Sequence, residues 1–230
     1  MRQNYIIFIL LFICSIQSAF SSLASKSTRW DKPNVIVCWA NWNETSNFEW
    51  ISKTSYIRSI IENEFNEKTP VRFLGWKPCA DTRYADAIVS FDFRETTSSS
   101  ARASIGIGNY PDHNGLYSYV YLDSKKNTTP QEMLELRQTA LHEFGHLAGL
   151  IHEHIRVEAK NDSNCMKFGN HDRVGTEKMQ DTISWLKVGG YDSQSIMNYC
   201  FNEFMNHQGL EASLSLGDIK TLEALYSDFF

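Results

Sequence analysis

The sequence predicts a single α+β domain, a mixed sheet backed by helices, and three features of its pattern carry that prediction. Short runs rich in β-branched and aromatic residues fill the first half, a helical apolar period separates two of them, and the second half reads mainly as helix and loop. Val35 to Ala40 is the first strand. From Ser52 to Lys68, Tyr56, Ile57, Ile60, Ile61 and Phe65 recur at helical spacing while Glu62, Glu64 and Glu67 fall elsewhere, and Pro70 ends that helix. Val71 to Trp76 and Ala87 to Phe93 are the next strands. Ala103 to Gly108 reads as a short edge strand that tolerates glycine, and Tyr117 to Leu122 as a fifth strand. Thr96 to Ser100 is a low-complexity loop. Pro130 opens a long helix to about Leu147, with Thr129 as N-cap and Glu132 in the first turn. Further helices are expected near Glu177 to Leu186 and over Leu216 to Tyr226.

The first residues read differently. Arg2 precedes an apolar run from Tyr5 to Cys14, and small and polar residues follow to Ser25. That is a signal peptide, too short for a bilayer-spanning helix of ~20 apolar residues. Cleavage fits after Ser21 or after Ala24, so the leader covers 1–21 or 1–24, and a single domain is expected over 30–230. Removing 1–21 takes away Arg2 and no acid, leaving 21 basic against 27 acidic residues and a charge of −6. Such a surface excludes nucleic acid and anionic lipid as expected partners, since both ask for clustered Lys and Arg. The mature chain is expected to be a secreted, extracellular monomer, or periplasmic in a Gram-negative host, without a membrane segment.

Cys14 leaves with the leader, and Cys38, Cys79, Cys165 and Cys200 remain. An even count in an exported chain favours two disulfides. Of three pairings, Cys38–Cys79 and Cys165–Cys200 are preferred: one joins neighbouring strands, the other ties a long loop to the segment around Cys200. A cysteine-ligated zinc is the rival, but no C-x-x-C spacing exists. Sequons stand at Asn43, Asn127 and Asn161.

Four of the seven histidines lie between positions 142 and 154. His142 and His146, four apart, share one helix face and can offer imidazoles to one metal, and Glu143 is placed to reach a metal-bound water. His152 cannot join them on an unbroken helix, because ten residues carry it ~15 Å along the axis. The helix must stop, and Gly149 is the residue that can turn the chain back in a left-handed conformation. Three neutral imidazoles would leave the fourth position of zinc open. A bare H-E-x-x-H also arises by chance in an ordinary helix; the extended pattern fixes five residues and places the breaker where geometry demands it.

His142 to His152 resembles the extended zinc pattern of the metzincin peptidases. Ser195-Ile196-Met197-Asn198-Tyr199 is similar to the Met-turn of the astacin family, and Glu153 and Arg156 also look astacin-like. The wider chain over 34–226, including Cys38-Trp39, Gly75-Trp76 and Leu214 to Tyr226, resembles small secreted bacterial metzincins. The resemblance implies a mostly parallel, twisted five-stranded sheet with an antiparallel edge strand, a backing helix, an active-site helix and a C-terminal helix. It implies one catalytic zinc on His142, His146 and His152, Glu143 as general base, and Met197 as the floor of the site. Tyr199 becomes an extra ligand or a donor to the tetrahedral intermediate; the alternative is a buried structural tyrosine. Glu153 would stand behind the ligands, meeting the mature N-terminus, or else be a solvated acid. Asn198 stands where astacins often have His, and the short span before the first strand leaves no substantial inhibitory pro-segment. His154 is expected to be a surface residue pointing away, and His113, His171 and His207 have no ligand spacing.

The expected function is therefore a secreted zinc endopeptidase acting on protein or peptide substrates. A zinc-binding adhesion module without catalysis is the alternative from another class, which Glu143 argues against. Zinc hydrolysis of a non-peptide amide or ester is a third. Pocket walls are expected around Phe201 to Leu214.

Overall fold

A computed structural model describes residues 22–40, 47–81, 84–94, 101–107, 118–125, 129–163, 165, 174–175, 185–201 and 208–230. Strands β2 (Asn34–Trp39), β3 (Arg72–Pro78), β4 (Ala87–Arg94), β5 (Arg102–Ala103) and β6 (Ser118–Lys125) form one sheet in the order β3-β2-β4-β6-β5. All pairs are parallel except β5 with β6, which is antiparallel, so the mostly parallel five-stranded sheet with an antiparallel edge is borne out. The edge strand is shorter than the sequence predicts. Beyond Ala103 the backbone leaves the sheet, and Gly106 N–H donates to the His146 carbonyl at 2.9 Å while Ile107 N–H donates to Thr28.

Helix α1 (Phe48–Ile61) starts four residues earlier than its apolar period suggests, because the Asn47 side chain caps it by accepting from Glu49 N and Trp50 N. It ends in a π-helical turn, Glu62–Asn66, rather than running to Lys68. Helix α2 (Pro130–Leu147) has the expected Thr129–Glu132 capping box. Its apolar side seats it on the sheet. Phe144 meets Phe73 edge to face at 4.9 Å and Trp76 at 5.6 Å, and Trp76 continues the contact to Trp39 at 5.4 Å. All four rings are buried. They fix the roll of α2 and thereby the direction in which the neighbouring histidines point.

A second, small sheet was not read from the sequence. Strand β1 (Leu23–Ser25) pairs antiparallel with β7 (Leu150–Ile151) on one side and β8 (Trp185–Lys187) on the other. The folded part thus begins before residue 30, with Ser22 to Ser25 fully or almost fully buried. Leu186, expected at the end of a helix, is in β8, where pairing with Ala24 satisfies its backbone; residues 177–184 of that expected helix lie outside the described residues. The C-terminal helix α3 (Leu216–Leu225) follows an N-cap at Ser215.

Both preferred disulfides are present, Cys38–Cys79 with Cα atoms 4.9 Å apart and Cys165–Cys200 with Cα atoms 4.5 Å apart. The loop 96–100, the sequons at Asn43 and Asn127, and His113, His171 and His207 lie outside the described residues. Among the described residues, no helix is long and apolar enough to cross a membrane.

Candidate metal centre

His142 and His146 lie one turn apart on α2, and both are buried. The helix stops at Leu147, and Gly149 turns the chain with φ +102°. A side chain there would be strained by the positive φ and would press on the end of the Leu225 side chain, so the turn favours glycine. The reversed chain forms β7 and brings His152 back to the other two rings. Its Nε2 stands 3.0 Å from His146 Nε2 and 3.2 Å from His142 Nε2.

The outer ring nitrogens are occupied. His142 Nδ1 lies 2.9 Å from the Ile196 carbonyl and His146 Nδ1 lies 2.9 Å from the Leu150 carbonyl. A carbonyl only accepts, so each Nδ1 carries the proton and each Nε2 turns a lone pair inward. Three converging nitrogens can hold one cation between them. Tetrahedral zinc at ~2.05 Å from nitrogen holds its ligands ~3.3 Å apart, close to the separations observed. Burial holds His142 down to about 3 and His146 down to about 4, keeping both neutral as ligation requires. Among the described residues this is the one cluster of three metal-ligating side chains.

Glu143, next along the helix, is buried, and burial pushes its carboxyl up to about 8. A bound dication nearby would draw that value down again. The Met197 side chain is fully buried against Gly145, which lies between His142 and His146 on the helix. A Cβ at position 145 would lie 2.5 Å from Met197 Sδ, which accounts for a glycine inside the helix where propensity alone disfavours one. Tyr199, two residues on, places its ring 4.5 Å from that of His152 and 5.0 Å from that of His142.

Solved structures share this architecture. A structure of myroilysin is similar at TM-score 0.51 with 16% identity, covering 89% of this chain and 98% of that one. A second, a crystal structure of myroilysin, gives TM-score 0.50 and 17% identity over 87% of this chain and 86% of that one. High choriolytic enzyme 1 of the medaka fish Oryzias latipes, described as a hatching enzyme zinc-protease, is similar at TM-score 0.50 and 17% identity, covering 88% of this chain and 96% of its own. The chain has their fold. No family model matches the sequence, and no curated protein matches it significantly.

The residues behind the ligands differ most from expectation. Glu153 is no solvated acid: it is fully buried, accepts from Asp192 N at 2.9 Å and pairs with buried Arg156 at 3.4 Å. Burial outweighs both partners and pushes its carboxyl up to about 9. Asn198 is also buried, donating to the Tyr191 hydroxyl at 2.7 Å and accepting from Cys200 N. His154 is not a surface residue. It is 2% exposed, and its ring stacks on Tyr199.

Sequence reasoning missed Asp218. This fully buried carboxylate, in the first turn of α3, accepts from the Ser195 hydroxyl (2.6 Å), Ile196 N (3.0 Å), Ser215 N (3.0 Å) and the Ser22 hydroxyl (2.5 Å). It fixes the backbone whose Ile196 carbonyl orients His142. The S-x-x-D pattern from Ser215 to Asp218 was a visible helix-start signal, but nothing in it announces the contacts to the Met-turn.

Proposed function

We propose that this chain is an exported zinc endopeptidase. The observation that carries the reading is the convergence of three imidazole Nε2 atoms beside a buried glutamate that is not one of them. The chemistry the ion supplies when bound is Lewis acidity toward water and toward the scissile carbonyl. Glu143 accepts the proton of the attacking water as its oxygen adds to the carbonyl carbon, then returns it to the amine as the C–N bond breaks. Tyr199 donates its phenolic hydrogen to the developing oxyanion.

Protein and peptide substrates are favoured over small amides by the edge position of β5 in the sheet order. An extended peptide can pair there along the main chain, and the segment beyond β5 leads to the His146 carbonyl beside the metal ligands. The likeness to a fish hatching enzyme described as a zinc-protease supports the same class. Export is supported by the two disulfides and the apolar leader, which we place at 1–21, because an end at Ala24 would remove most of β1.

The test is digestion of denatured casein by the purified mature protein. Cleavage is expected to be lost with a chelator and in Glu143→Ala, while that variant keeps its zinc. Zinc bound with no substrate cut by the wild type would instead make the protein a binding module.

A further inference from the structure

Tyr199 is 36% exposed, so burial does not hold its ring in place. Three imidazoles surround it: His142 near-parallel at 5.0 Å, His152 inclined by 49° at 4.5 Å, and His154 near-parallel, at 20° and 4.6 Å. The first two face the metal position. His154 is the one whose ring takes no part in the converging triad, yet it is the most deeply buried of the three. Its short 3-10 turn, Glu153–Ile155, is pinned to the Met-turn by Glu153 N–H donating to the Met197 carbonyl at 3.0 Å. The His154 carbonyl in turn accepts from Gly175 N at 3.1 Å. The site therefore backs a partly exposed side chain with a buried ring on a pinned backbone.

We propose that His154 is a positioning residue: its buried ring is the seat on which the Tyr199 phenol stacks, holding the hydroxyl beside the triad. The proposal deepens the reading of Tyr199 as an oxyanion donor and rests on it. A seat formed by an aromatic pair shifts the population of the seated rotamer by about two- to tenfold. Stacking needs a flat ring and not an imidazole, so phenylalanine should serve.

The experiment compares zinc-loaded His154→Ala and His154→Phe in the wild-type and Tyr199→Phe backgrounds, on one peptide substrate. His154→Ala is expected to lower kcat about two- to tenfold with KM nearly unchanged, His154→Phe to restore it, and neither to matter once Tyr199 is phenylalanine. A general structural role would lower kcat in both backgrounds, and that result overturns the proposal. A second readout needs no activity. In metal-free protein with 13C-labelled tyrosine, the Tyr199 ring signal, assigned by its loss in Tyr199→Phe, should shift toward the position of a solvent-exposed tyrosine in His154→Ala and stay in His154→Phe. A signal unmoved in His154→Ala removes the seat. Unchanged kcat in Tyr199→Phe alone removes the phenol's catalytic role, while the labelled spectrum still decides whether the seat exists.

Discussion

The two halves of the metal centre are built in different ways. His142 and His146 ride on α2, where helical periodicity and the packing of Phe144 on Phe73 and Trp76 fix their direction. His152, His154, Met197 and Tyr199 ride on irregular chain, placed by one left-handed glycine and by a buried polar network running from Ser22 through Asp218 and Asp192 to Glu153. The spacing of the helical pair follows a local rule that any helix obeys, and its aim rests on apolar ring packing against the sheet. The irregular half is held by contacts between segments far apart in sequence, so it should fail first when a single buried group is removed.

The largest effect is expected at Asp218. Asp218→Ala leaves four donors without their acceptor, and with each loss worth ~1–3 kcal/mol but partly relieved by rearrangement, the variant should lose ~3–5 kcal/mol. Urea denaturation measures this, and a loss below ~1 kcal/mol would mean that the network does not hold the Met-turn.

Next comes the pH response of the metal-free protein. The ordinary values for His and Glu are 6.5 and 4.5, against about 3 for His142, about 4 for His146 and about 8 for Glu143 when folded. Between pH 6.5 and 4 the unfolded chain binds histidine protons that the native state refuses, so stability falls as pH is lowered. Between pH 4.5 and 8 the native state keeps the Glu143 proton that the unfolded chain has lost, so stability falls as pH is raised. Glu143→Gln should come closest to the wild type below pH 4.5, where folded and unfolded states both keep the carboxyl proton, and become the more stable protein as pH rises toward 8. Thermal melts of both proteins across that range check it; parallel curves would place Glu143 in a wetter site than its burial indicates.

The smallest effect belongs to the helical half. Thr129→Ala removes the cap of α2 and should cost ~1 kcal/mol while zinc affinity stays unchanged, because the ligands lie three turns away. A parallel loss of zinc would show that the two halves are coupled more tightly than their construction suggests.

This division also explains what could be read from the residues alone. The sheet strands, both long helices and the turn at Gly149 follow from periodicity, capping and φ preferences, all of which are local, whereas the disulfide pairs are a preference among three pairings that rests on which segments lie side by side. Strand β1 was hidden because Leu23-Ala24-Ser25 has the small, polar look of a leader's end, and its pairing partners lie more than a hundred residues away. His154 reads as outward-facing because polar residues usually are, and for Glu153 a place behind the ligands and a solvated one both stay open; only tertiary packing reveals that both are buried. Asp218 was passed over for the same reason: a buried acid has no apolar pattern to announce it.

The central claim is that a backbone reversal joins a third imidazole to two that a helix already pairs. Zinc content per chain after exhaustive dialysis tests it most directly, comparing wild type, Glu143→Ala and His152→Ala. About one zinc should remain on the first two, and His152→Ala should lose it, because two histidines on one helix face are an incomplete ligand set. Zinc retained in full by His152→Ala would contradict the account.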